Sequence, residues 1–260
     1  MLLAFDIGNT NTVLGVFRDG ELVQNWRLET ARAHSADEYG MLVNQFFEYD
    51  GLKLSDIKDV IISTVVPSAV YTLQHMVQKY IGTRAMIVGP GIKTGLKIVY
   101  DDPTQVGADR IVNGVAALTK YGGPVVIIDF GTATTFCACT SDWRYLGGAI
   151  APGIRISSEA LFEKTAKLPR VELEEPGSVI CKNTIESMQA GLIIGHRGMV
   201  ESLTIKMKEE LAAIDPGVDP VRVIATGGMA SLIAAGTDCI DTVDRMLTLE
   251  GLVYIYERNK

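Results

Sequence analysis

Asp6-Ile7-Gly8-Asn9-Thr10-Asn11-Thr12 follows the apolar run Met1 to Phe5 and precedes another, Val13 to Phe17. The same grammar returns as Asp129-Phe130-Gly131-Thr132-Ala133-Thr134-Thr135, between Val125 to Ile128 and Phe136 to Cys139. Each copy reads as strand, tight turn and strand, with Gly8 and Gly131 expected to let the backbone turn at positive φ and a ligand approach closely. Backbone N–H groups and hydroxyls at such a turn suit an anionic phosphate. A carboxylate at the end of each buried strand is compatible with phosphate when a cation lies between them, since like charges otherwise repel. One copy is equally well an ordinary hairpin with an aspartate cap. Two copies with one D-x-G-x-x-x-T spacing predict two related halves around one site.

Working outward, Glu21 to Glu29 has the even spacing of a strand, and Ser35 to Tyr49 that of a helix capped by Ser35 with Glu38 in the capping-box position. Val60 to Val65 reads as a strand, Pro67 to Tyr80 as a helix and Ala85 to Val88 as a strand. The second half repeats the plan: a strand at Leu146 to Ile150, a Pro152-Gly153 turn and a helix from Ile154 to about Ala166. From Asn183, with Glu186 as a second capping-box pair, a helical pattern runs for nearly thirty residues. Gly191, Gly195 and Gly198 inside it signal close packing, a bend or simple tolerance, each costing about 1 kcal/mol against alanine. Val221 to Ala225 is a strand, a helix starts near Ser231, and Leu247 to Arg258 has helical spacing. Alternating strands and helices predict an α/β fold. The repeat puts a domain boundary near residue 114, separating 1–113 from 114–260, with the last helix free to pack back on the first domain.

The bulk numbers bound the function. The 260 residues allow two small domains, and 47% hydrophobic with 21% charged residues is ordinary globular composition. A formal charge of -7 without a basic stripe argues against nucleic acid. No apolar run is long enough for a membrane span and no signal-peptide pattern opens the chain, so the expected compartment is cytoplasmic. Cys137 and Cys139 share one strand face, which admits redox or metal chemistry, although core packing is the simpler account. The three histidines, His34, His75 and His196, fall in no motif and read as surface or packing residues.

Between the halves lies Tyr100-Asp101-Asp102-Pro103-Thr104-Gln105-Val106-Gly107-Ala108-Asp109-Arg110, running into the helical pattern of Ile111, Val112, Val115 and Leu118. An aspartate at a helix start is favoured by the dipole, so capping explains Asp109 plainly. The sharper reading makes Asp109 a general base and Arg110 a clamp for an anionic substrate.

D-I-G-N-T-N-T, G-A-D-R at 107–110, D-F-G-T-A-T-T, G-G-A-I-A-P-G at 147–153, A-K-L-P at 166–169, N-T-I-E-S-M at 183–188 and A-T-G-G at 225–228 together resemble the type III pantothenate kinases, of the actin, hexokinase and heat-shock chaperone superfamily. Each motif is weak alone; jointly, in the family's order, they are specific. The resemblance implies two duplicated actin-like (ribonuclease H-like) α/β domains, mixed sheets flanked by helices, with ATP in the cleft between them. It implies phosphorylation of pantothenate to 4'-phosphopantothenate, the first step of coenzyme A biosynthesis.

Carried onto matching positions, the family's roles give an ATP site of Asp6, Ile7, Gly8, Asn9, Thr10, Asn11, Thr12 and Val13, with Thr132, Gly227 and Gly228. Tyr100, Gly107, Ala108, Asp109, Arg110 and Thr184 would bind pantothenate, and Asp109 would take the proton from its primary hydroxyl. Asp129 would bind the monovalent cation, K+ or NH4+, and Asp6 would sit near Mg2+ through water. A homodimer is implied, with Thr184 reaching the neighbouring subunit's substrate. Rival readings are an accessory regulator of transcription related to the family, and another phosphotransferase of the superfamily such as a sugar kinase. G-A-D-R and N-T-I-E-S weigh against the sugar kinase.

Overall fold

Two six-residue strands, β1 (Leu2–Ile7) and β7 (Val125–Phe130), share one burial pattern: four buried residues, a half-buried aspartate and a buried apolar residue. The computed structural model describes residues 1–30, 34–216 and 220–260, and in it each strand lies inside its own mixed sheet. The chain divides into two units. One comprises 1–95, 102–116 and 247–260, the other 96–101 and 117–246.

The first unit has strand order β3-β2-β1-β4-β5, with β2 (Asn11–Arg18), β3 (Glu21–Glu29), β4 (Asp59–Thr64) and β5 (Ala85–Ile87). β1 runs antiparallel to β2 and parallel to β4. Leu3, Phe5 and Ile7 alternate onto one face with Leu14 and Val16, against Tyr39, Val43 and Phe47 of α1 (Ala36–Tyr49) and Leu73, Met76 and Val77 of α2 (Pro67–Tyr80). Burying such a side chain contributes about 1.5–3 kcal/mol. Ala4 pairs with Gly15 on the opposite face. That face is covered by α7 (Leu247–Asn259), whose Leu249 would stand 2.9 Å from a Cβ at Gly15. A strand covered on both faces must be apolar throughout, so β1 lacks the alternation of a half-exposed strand. At the start of α1, Ser35 Oγ accepts the Glu38 amide at 3.2 Å and Glu38 accepts the Ser35 amide at 2.6 Å. A cap of this kind contributes about 1 kcal/mol.

The second unit repeats this order as β9-β8-β7-β10-β11, with β6 (Lys97–Ile98) added beside β9. Its strands are β8 (Ala133–Cys139), β9 (Arg144–Pro152), β10 (Arg222–Thr226) and β11 (Thr242–Val243). Val126, Ile128, Phe130 and Phe136 form its core with Ile193 and Val200 of α5 (Thr184–Ile214) and Ile233 of α6 (Ala230–Ala234). α4 (Ile154–Lys164) contributes Ile154. α3 (Ala108–Tyr121) holds the division between units, after Ala116.

Several expectations change in detail. β1 and β7 continue one residue past their aspartates, so Asp6 and Asp129 are registered sheet residues rather than the last of their strands, and Gly8 and Gly131 make their turns without a positive φ. Cys137 and Cys139 are buried opposite Ile127 and Val125, and Cys137 Sγ lies 3.3 Å from the Tyr145 hydroxyl. Burial, and then Cys137, pushes the Cys139 thiol far above the ordinary thiol range, which is the signature of packing rather than reactivity. Gly191, Gly195 and Gly198 lie exposed on an unbroken helix, with nothing within 4 Å of where a Cβ would stand. Close packing within the chain is therefore not their reason. Among the described residues, no helix is long and apolar enough to cross a membrane.

Candidate active site

In the first unit, Asp6 faces Val13 of β2 and Ser63 of β4 in register. The turn after it closes by a bond from the Gly8 amide to the Asn11 carbonyl, 2.9 Å, and the Thr10 carbonyl accepts from the Thr30 amide at 2.8 Å. Asn9, Thr10 and Asn11 are exposed at the tip. Thr12 turns the other way: it is fully buried, with its hydroxyl 2.9 Å from that of Thr30. Ile7 is buried as well. A ligand at this turn therefore meets the side chains of residues 9–11 and only the backbone of Ile7 and Thr12.

The G-A-D-R segment stands beside the same turn. The Val65 amide donates to the Ile7 carbonyl at 3.1 Å, and a Cβ on Gly107 would lie 3.5 Å from Val65 Cγ1. The same Cβ would overlap Asp109 Oδ1, so the glycine makes room for the carboxylate. The Gly107 carbonyl accepts from the amides of Arg110 (3.1 Å) and Ile111 (3.2 Å), opening α3 with Asp109 in its first turn. Asp109 Oδ1 accepts the Arg110 amide at 2.8 Å.

Burial raises the Asp109 pKa above the ordinary aspartate value, against the opposing Arg110 amide and guanidinium charge. Such a carboxylate holds a proton more readily than a solvated one, the property of a general base. Arg110 is braced in turn. Its Nη2 donates to the Gln105 carbonyl at 3.0 Å, and Asp102 fixes that loop by accepting from the Thr104 amide (3.0 Å) and hydroxyl (2.6 Å) and from Gln105 Nε2 (3.2 Å).

In the second unit, Asp129 faces Thr135 of β8 and Thr226 of β10. The Gly131 amide donates to the Ala133 carbonyl at 3.1 Å, and the exposed Thr132 accepts the Gly153 amide on its carbonyl at 3.2 Å. Gly227, at φ +92°, packs on this backbone: a Cβ there would stand 2.7 Å from Phe130 N and C and 2.5 Å from Asp129 Oδ1. Parallel pairing of β7 and β10 thus brings Gly227 against Asp129 and Phe130, with exposed Gly228 next to it in the chain and exposed Thr132 in the turn after Phe130.

Tyr100 and Thr184 lie elsewhere on this unit. The Tyr100 ring sits over Gly147, 6.5 Å from the Tyr145 ring. Thr184 is exposed as the first residue of α5, whose cap residue Asn183 accepts the Glu186 amide at 2.9 Å. It lines an open groove of about 660 Å³ with Leu161, Leu168, Cys181, Met188 and Leu192.

Sequence reading took His196 as a surface or packing residue and passed over Arg197. His196 is buried, with Nε2 3.0 Å from Thr134 Oγ1, and Arg197 beside it is buried in an ion pair with Glu175. Neither belongs to a motif, and their only signal was two polar residues inside an apolar helical stretch.

Residues 2–206 match the family model described as Type III pantothenate kinase. Among solved structures, one from Campylobacter jejuni described as belonging to the Baf family of transcriptional activators is similar at 20% identity, with 99% of this chain and 98% of that chain covered and a TM-score of 0.59. The activator of 2-hydroxyisocaproyl-CoA dehydratase from Clostridium difficile, with bound ADPNP, is similar at 15% identity, 99% and 95% coverage and TM-score 0.53. The ethanolamine utilization protein EutJ from Carboxydothermus hydrogenoformans follows at 15% identity, 97% and 89% coverage and TM-score 0.53. At these identities the likeness carries the fold, which is that of the actin-like ATPases.

Proposed function

Because the chain belongs to the type III pantothenate kinase family, we propose that it transfers the γ-phosphoryl group of ATP to the primary hydroxyl of pantothenate, giving 4'-phosphopantothenate for coenzyme A biosynthesis. The observation that carries this reading is the half-buried Asp109, its pKa raised by desolvation, set beside the first turn through Gly107 and Val65. In this reading Asp109 takes the hydroxyl proton. Phosphoryl transfer demands positioning and charge stabilisation more than covalent work, and the parts of each unit suit that demand. The ATP-binding elements are the turn from Asp6 to Val13 in the first unit and Thr132, Gly227 and Gly228 in the second. The pantothenate-binding elements are Gly107, Ala108 and Arg110 in the first unit and Tyr100 and Thr184 in the second, Thr184 acting across a homodimer. The setting is cytoplasmic.

The residues also fit the cations the family implies. Asp6 and Asp129 each present one half-buried carboxylate beside a turn. One carboxylate suits a Mg2+ that keeps most of its water at Asp6, and a K+ or NH4+ at Asp129. Bound there, these cations would offset the negative charge of the phosphates. Exchanging potassium for sodium is expected to lower turnover, and indifference to the exchange would remove this role from Asp129.

The reading is tested by following ADP release with pantothenate, with glucose and with no acceptor. Release with pantothenate alone is expected; release with glucose, or silence in all three, would overturn it, and silence would favour the regulatory role. Arg110→Ala is expected to raise the pantothenate KM about tenfold or more with little change in the ATP KM, as loss of a charge-assisted contact does. An unchanged pantothenate KM would take Arg110 out of the site.

A further inference from the structure

His196 and Arg197 are consecutive residues in the middle of α5, both buried, and they bond outward to different parts of the second unit. His196 Nε2 lies 3.0 Å from Thr134 Oγ1, and its ring is 6.0 Å from that of Phe130. Phe130 and Thr134 are the registered pair that closes the turn carrying Gly131 and Thr132. Arg197 donates from Nε to the Ile233 carbonyl at 3.2 Å and from Nη2 to the Leu232 carbonyl at 2.8 Å. Those are carbonyls near the end of α6, the five-residue helix that follows Gly227, Gly228 and Met229. Nη1 and Nη2 meet the two carboxylate oxygens of Glu175 at 2.7 and 2.6 Å.

The fork geometry of a guanidinium is what allows one side chain to meet two helix-end carbonyls and a bidentate carboxylate together. The fit leaves no slack, because a Cβ at Gly236 would overlap the Arg197 guanidinium.

We infer that His196 and Arg197 are positioning residues for the nucleotide: from one rigid helix they hold the Gly131-Thr132 turn and the Gly227-Gly228 turn in fixed register. The inference rests on the reading of those turns as nucleotide-binding. It requires no contact between either side chain and ATP. Its consequence is selective: loosening the pair weakens nucleotide binding and leaves the acceptor side, Gly107 to Arg110 with Tyr100 and Thr184, little changed.

The test is calorimetric ATP affinity without acceptor, with KM values for both substrates and a melting temperature for each variant. His196→Phe keeps the ring against Phe130 and removes the bond, and Thr134→Val removes it from the other side. Each is expected to weaken ATP binding about fivefold or more with the pantothenate KM within twofold, and the double variant to be no worse than either single. His196→Gln, which can still bond Thr134, is expected to restore most of the loss. Gly236→Ala, which leaves both residues in place but displaces the guanidinium, is expected to act in the same direction. Wild-type ATP affinity in His196→Phe and Thr134→Val, or equal losses for both substrates, would overturn the inference. A wild-type protein that binds ATP but leaves pantothenate unphosphorylated would overturn the substrate reading alone.

Discussion

Asp109→Asn is expected to bind ATP normally and to lose at least about 10²-fold in kcat, the usual span of general-base catalysis. Asparagine keeps an oxygen to accept the Arg110 amide now held at 2.8 Å, so the start of α3 survives the change. What disappears is the capacity to take a proton.

The same substitution carries an opposite expectation for stability. Desolvation raises the Asp109 pKa in the folded state, so at neutral pH folding pays to keep this carboxylate ionised. The sign follows from linkage. The folded protein binds this proton more tightly than the unfolded chain, so the penalty is full above the folded pKa. It fades as pH falls through that value towards the ordinary aspartate range. Asp109→Asn is therefore expected to match or exceed wild-type stability at pH 7, with any advantage vanishing in acid. Wild-type kcat should fall with acid at a pH above the ordinary aspartate pKa. Saturating kinetics, ATP affinity and urea midpoints at two pH values check all of this. Near-normal turnover would remove Asp109 as the base. A clear drop in the urea midpoint at pH 7 would show that bonds to the charged form outweigh its desolvation.

The frame of the molecule was legible because its central strands are covered on both faces. β1 and β7 must then be unbroken apolar runs, and a lone aspartate in the fifth place of each stands out. Ser35 and Glu38 announced α1 because a capping box is a local arrangement of four residues, and the structure contains both of its bonds. β6 and β11, of two residues each, are too short to show any period and exist through pairing with β9 and β10. The inward turn of Thr12 was hidden in its motif, because it depends on Thr30 on the far side of β3. The clamp at His196 and Arg197 was hidden more deeply: its partners lie 62, 36 and 22 residues away in the chain, at Thr134, Ile233 and Glu175. Residues that touch a ligand tend to sit in short motifs because a turn gathers them. Residues that hold two turns in register owe their place to packing, which leaves no local spacing to read.

Gly227 is where register and ligand turn meet, and Gly227→Ala is expected to reduce kcat/KM for ATP at least about 10²-fold. Two costs add at this position. At φ +92° an L-residue is strained by about 1–3 kcal/mol. The new methyl would also stand 2.7 Å from Phe130 N and C, and those are backbone atoms of a buried strand that cannot swing aside as a side-chain tip does. Overpacking against such neighbours costs typically about 1–3 kcal/mol more. The chain can relieve both only by moving the Gly227-Gly228 turn off Asp129 and Phe130. That movement separates the two features which parallel pairing of β7 and β10 brings together, and about 2.7 kcal/mol of lost transition-state binding is enough for the stated factor. Gly228→Ala supplies the contrast, since Gly228 is exposed where Gly227 is half-buried. It is expected to be the milder variant in both stability and nucleotide affinity. Equal ATP kinetics for Gly227→Ala and the wild type would mean that the register of these two turns does not govern nucleotide binding, and Asp129 would then need another reason to lie in its strand beside Gly227.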